Sequence, residues 1–83
     1  MPIAYILLNV RVNSEMEVIG KLKEILQTGE SKYELQGVYG VYDLIVKIET
    51  ESMESLRNII AKIRRVDKIY STVTMLVVEK PEL

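Results

Sequence analysis

The chain has 83 residues with a formal net charge of −1, and it contains neither cysteine nor histidine. That length makes one domain, burying roughly 60–65% of its unfolded surface and marginal unless tightly packed or self-associated. The missing residue types exclude disulfides and thiolate metal sites and remove the usual base near neutral pH, which argues against hydrolytic and metal-dependent chemistry. No basic excess exists to neutralise nucleic-acid phosphates, so direct nucleic-acid binding is not expected. No apolar run approaches the roughly 20 residues of a membrane span, and no signal peptide is visible. A cytoplasmic protein is expected.

The first predicted strand runs from Ile3 to Val12. Ile3 to Leu8 is continuously apolar, which predicts burial on both faces and a central position in a sheet. Ser14-Glu15-Met16-Glu17 has the spacing of a capping box and starts a helix. Val18, Leu22, Ile25 and Leu26 form its apolar stripe, with Glu17, Lys21 and Glu24 opposite. Gly29 is expected to end it in a left-handed conformation.

Ser31 to Tyr39 alternates between Tyr33, Leu35, Gly37 and Tyr39 on one parity and Lys32, Glu34 and Gln36 on the other, the pattern of an edge strand. A turn follows at Gly40, which tolerates positive φ. Tyr42 to Thr50 is the third strand, apolar on both faces at Leu44-Ile45-Val46. Ser52 caps a second helix whose apolar stripe is Met53, Leu56, Ile59, Ile60 and Ile63, while Glu54, Arg57, Lys62 and Arg64 face water. A fourth strand runs from about Ile69 to Val78, and Lys80, Pro81 and Glu82 form a polar tail.

The order βαββαβ predicts an α+β, ferredoxin-like sandwich: a four-stranded antiparallel sheet in order 4-1-3-2 with both helices on one face. Nothing in the chain remains to cover the other face. Tyr5, Leu7, Ile45 or Val46, and Met75 or Leu76 would leave an apolar patch there, which predicts a homodimer joined through the open sheet faces.

Residues 37–43 hold two of the four glycines, two of the five tyrosines and one of two aspartates. Asp43 beside the Gly40 turn has two readings: a carboxylate aimed at a ligand amine, or one that caps the hairpin through backbone N–H groups. The N–H groups around Gly40 could cradle a carboxylate. Thr72 and Thr74 share one face of the last strand, as ligand contacts or as ordinary β-branched strand residues. The five tyrosines suit core and interface better than base stacking, since no basic surface accompanies them. Glu15/Glu17 and Glu49/Glu51 read as solvated surface, and Arg64-Arg65 suits a helix C-terminus. No metal or other cofactor is expected.

Three stretches together resemble a known family: the opening strand Ala4-Tyr5-Ile6-Leu7-Leu8-Asn9-Val10, the hairpin Gly40-Val41-Tyr42-Asp43-Leu44-Ile45-Val46-Lys47, and Ser71-Thr72-Val73-Thr74. They are similar to the effector domain of the Lrp/AsnC feast/famine regulators, the RAM domain (regulation of amino acid metabolism), over nearly the whole chain. The first effector strand opens the chain, which resembles the stand-alone form without the helix-turn-helix DNA-binding domain. The chain departs from the family's frequent Pro-Gly-Val before strands two and four, reading Gly29-Glu30-Ser31 and Arg65-Val66-Asp67 instead.

The resemblance implies a non-catalytic module that takes a free amino acid as effector, dimerises through its sheets and assembles into rings such as octamers. It also implies joint assembly with full-length Lrp/AsnC-type regulators. Tyr39, Gly40, Val41 and Tyr42 would border the ligand, mainly through backbone, Asp43 would take its amine, and Thr72 and Thr74 would assist from the last strand. Three other readings stay open: a purely structural oligomerisation module, an ACT-like amino-acid-binding domain, and a small dimeric ferredoxin-like enzyme. The last would commonly use His, Trp or Asn in its cleft, and the absence of His and Trp argues against it. An ACT-like domain would favour a glycine-rich turn after the first strand, where this chain has Asn13-Ser14. The acylphosphatase glycine loop resembles Leu35-Gln36-Gly37-Val38 only superficially, because that stretch lies between strands and lacks the following arginine. Heavy-metal-associated domains need a cysteine pair.

Overall fold

The structure is a computed structural model and describes residues 1–29 and 31–78. The elements are β1 (Ile3–Val10), α1 (Glu15–Thr28), β2 (Ser31–Gly37), β3 (Leu44–Thr50), α2 (Met53–Arg64) and β4 (Ile69–Leu76). The strands form one sheet in the order β2-β3-β1-β4, with every neighbouring pair antiparallel. This is the expected 4-1-3-2 order and the ferredoxin-like α+β fold. The Lys80, Pro81, Glu82 tail lies outside the described residues, and β4 ends at Leu76 rather than Val78.

One layer of side chains makes the core. Ala4, Ile6 and Leu8 of β1 and Val46 and Ile48 of β3 pack under Val18, Leu22 and Leu26 of α1 and Leu56, Ile59 and Ile63 of α2. The helices bury the apolar stripes expected of them, except that Met53 stays exposed. Burial of each Val, Leu or Ile side chain among them contributes on the order of 1.5–3 kcal/mol.

The other parity of the central strands is only half-buried. Strand β1 alternates strictly between fully buried even positions and partly exposed Ile3, Tyr5, Leu7 and Asn9. The continuous apolar run therefore does not bury both faces within one chain, which corrects the expectation for β1. A helix layer covers one side, and no described element covers the other. Register settles which residues face which way, because directly paired residues share a face. Tyr5 pairs with Lys47 and Met75, and Leu7 pairs with Ile45 and Val73, so Ile45 and Met75 lie on the open face. Val46 and Leu76 belong to the helix side.

Three local expectations fail for identifiable reasons. Ser14 makes no capping hydrogen bond through its side chain. Its backbone N–H instead donates to the Arg11 carbonyl at 3.0 Å, after Asn13 turns the chain at φ 64. Glu17 does not reach back either, because its Oε1 accepts from Lys68 Nζ at 2.8 Å. Gly29 is extended, at φ −88 and ψ 151, and not left-handed. A Cβ there would sit 3.2 Å from Ile59 Cδ1, so glycine at this position permits close approach of the chain to α2. Ser52, by contrast, caps α2 as expected, accepting from the Ser55 N–H at 3.1 Å.

Among the described residues, no helix is long and apolar enough to cross a membrane.

Candidate functional site

The connection between β2 and β3 is longer than the strand alternation suggested. Pairing stops at Gly37 and Leu44, so Tyr39 and Tyr42 leave the strands and residues 38–43 form a loop. Gly40 turns it at φ +131, a conformation that side chains rarely adopt. No atom would crowd a Cβ at that position, so the demand for glycine is conformational alone.

Asp43 anchors the loop to the neighbouring central strand. Its carbonyl accepts from the Val38 N–H at 2.9 Å, and its own N–H donates to the Leu8 carbonyl at 2.9 Å. Its Oδ2 accepts from the Val10 N–H at 2.9 Å. Strand β1 runs on past the start of β3, and Asp43 satisfies the backbone groups that β3 would have paired. No hydrogen bond of the described residues reaches its Oδ1. The remaining loop residues project outward: Tyr39 is fully exposed, Val41 is exposed and Tyr42 is half-buried. The backbone N–H groups of Tyr39, Gly40, Val41 and Tyr42 donate no hydrogen bond to the other described residues. They remain available to an acceptor.

Beside this loop lies a cleft of about 410 Å³. Gly37, Val38, Tyr39 and Asp43 form the hairpin wall, Glu15 and Ile19 of α1 form the opposite wall, and Leu44 lies between. Sequence reasoning missed Glu15 and Ile19 as site residues. Their four-residue spacing places both on one helix face, but only the docking of α1 turns that face toward the hairpin.

Thr72 and Thr74 do not line this cleft. Thr72 pairs with Leu8, Leu8 with Leu44, and Leu44 with Gly37, so one row crosses all four strands. At roughly 4.8 Å per strand, Thr72 lies about 10 Å from Leu44. Both threonines belong to the helix side of β4, where the helix layer ends: Thr72 is half-buried and Thr74 exposed. One chain thus holds Tyr39, Gly40, Val41, Tyr42 and Asp43 in one loop, of which Tyr39 and Asp43 line the cleft, and leaves Thr72 and Thr74 apart.

Among the described residues, no group of three carboxylates could hold a metal ion. Lys68 shows a displaced titration. The hydrogen bond and then the charge of Glu17 raise its ammonium above the ordinary lysine value of 10.5. This pair ties the loop before β4 to α1, away from the hairpin cleft.

Residues 4–82 match the family described as the Lrp/AsnC ligand binding domain. The chain is similar to the crystal structure of FFRP-DM1, with 39% identity over 94% of this chain and 100% of that one and a TM-score of 0.77. It is also similar to PHS023 from Pyrococcus horikoshii, with 38% identity over 96% and 93% of the two chains and a TM-score of 0.76. AsnC of E. coli shares the fold at 24% identity and a TM-score of 0.76; the match covers 99% of this chain but 54% of that one. No curated protein matches the chain.

Proposed function

The chain belongs to the Lrp/AsnC ligand-binding domain family, and from that premise we propose that it binds a free amino acid at the hairpin cleft and acts as a non-catalytic effector and assembly module. The observation that carries this reading is the loop itself. The N–H groups of Tyr39, Gly40, Val41 and Tyr42 donate no hydrogen bond to the other described residues, and Tyr39 and Asp43 of the same loop line a cleft of about 410 Å³. An α-carboxylate would take the N–H groups and an ammonium would take Asp43 Oδ1, leaving the Oδ2 bond to Val10 intact. Thr72 and Thr74 would complete the site from a neighbouring copy.

The half-exposed face of Tyr5, Leu7, Ile45, Val73 and Met75 supports homodimerisation through the sheets. Dimers would assemble further, as in an octamer-type ring, and could include full-length Lrp/AsnC regulators. The module would then act in the cytoplasm on transcriptional regulators without reading DNA itself.

Calorimetry against a panel of amino acids tests the binding, with Asp43→Ala as control. The expected result is a saturable signal that the substitution weakens at least tenfold. Absence of binding to any amino acid at millimolar concentration would remove the sensing role. One observation favours a second reading in that event: Asp43 Oδ2 already serves the Val10 N–H, as it would in a purely structural oligomerisation module.

A further inference from the structure

We infer that the hairpin cleft selects amino acids whose side chain carries a second positive charge, with Glu15 as the specificity-determining residue. This rests on the reading above that the cleft takes a free amino acid.

Two carboxylates, Asp43 and Glu15, face the cleft from opposite walls, and no lysine or arginine lines it. The ion pairs of the described residues join Glu34 to Lys47 and Glu17 to Lys68, so Glu15 has no such partner among them. Its place in the first turn of α1 suits the helix dipole, but that does not supply a counter-charge inside the cleft.

Charge counting then separates the ligand classes. A neutral amino acid brings one ammonium and one carboxylate. Asp43 and the loop N–H groups use both, and Glu15 remains unmatched. An acidic amino acid adds a like charge beside Glu15, which is unfavourable. A basic amino acid brings a second ammonium or a guanidinium to Glu15. Its methylene stem would lie against Ile19 and Leu44, as long cationic side chains commonly cover apolar surface. The cleft volume of about 410 Å³ falls in the lower part of the small-molecule range of roughly 300–1,000 Å³.

The test compares L-lysine, L-norleucine and L-glutamate, which isolates the terminal charge at similar chain length. Titration calorimetry on the wild-type chain should give lysine about three- to tenfold tighter than norleucine, as a partly exposed ion pair allows. Glutamate should be weakest. Glu15→Gln should abolish the lysine advantage, bringing lysine to the affinity of norleucine on the same variant, while Glu15→Asp should retain part of it. Added salt should reduce lysine binding more than norleucine binding. Norleucine binding as tightly as lysine, or a lysine advantage that survives Glu15→Gln, would overturn the assignment while leaving the amino-acid site itself in place. No binding by any of the three would overturn the assignment to Glu15, and silence across the full amino-acid panel would overturn the site as well.

Discussion

The two faces of the sheet are made from the same kinds of residue and end in opposite environments. On β1, Ala4, Ile6 and Leu8 are fully buried, while Ile3, Tyr5 and Leu7 between them remain partly exposed. Residue type does not distinguish the two sets. The difference lies in what covers them: α1 and α2 close one side, and within the chain nothing described closes the other. The half-exposed apolar face is the surface that, in the function proposed, a second copy of the chain covers.

The contrast can be broken from the covered side first. Leu8→Ala should destabilise the chain by about 2–5 kcal/mol in denaturant unfolding, because it removes packing and leaves a cavity beneath the helices. A loss below about 1 kcal/mol would mean that this face is not the core. Leu7→Asp, one residue away, should leave far-ultraviolet circular dichroism unchanged and abolish self-association in light scattering. If that variant keeps the wild-type mass, the open face is not the interface.

Smaller effects sharpen the comparison by asking how the covering helices are held. Ser52→Ala should cost about 1 kcal/mol through the lost cap of α2, and Ser14→Ala only a few tenths, because its side chain caps nothing. Equal losses in thermal unfolding would contradict the cap assignment. The smallest effect concerns Lys68, whose folded value is raised by Glu17. A raised value means stability that is fully present below the unfolded lysine value and lost as pH rises through the folded one. The stability difference between wild type and Lys68→Met should therefore be constant at neutral pH and vanish in strong alkali. It should also shrink with salt, since the pair is exposed.

Much of this was legible in the residues. The positions of all six elements, the edge character of β2, the turn at Gly40 and the cap at Ser52 follow from periodicity and from what glycine and serine do locally. The absence of the capping box read at Ser14 was not legible, because it depended on where Glu17 points, and a lysine 51 positions away claims that carboxylate. Gly29 carries the composition of a left-handed stop, yet its reason is the approach of Ile59 from the other helix. Asp43 shows the same limit within the site. Its two sequence readings both concerned the hairpin or a ligand, and its bond goes to Val10 on the adjacent strand.

By itself the sequence determined the order of elements, the central place of β1 and β3, and the hairpin with its obligatory glycine. These depend on local conformational preference and on the count of apolar residues per strand. Only the tertiary structure decided which apolar residues face water, that Glu15 and Ile19 wall the cleft, and that Thr72 and Thr74 stand two strands away from it. Those facts arise from the docking of elements distant in sequence, and the residues between them record no distance.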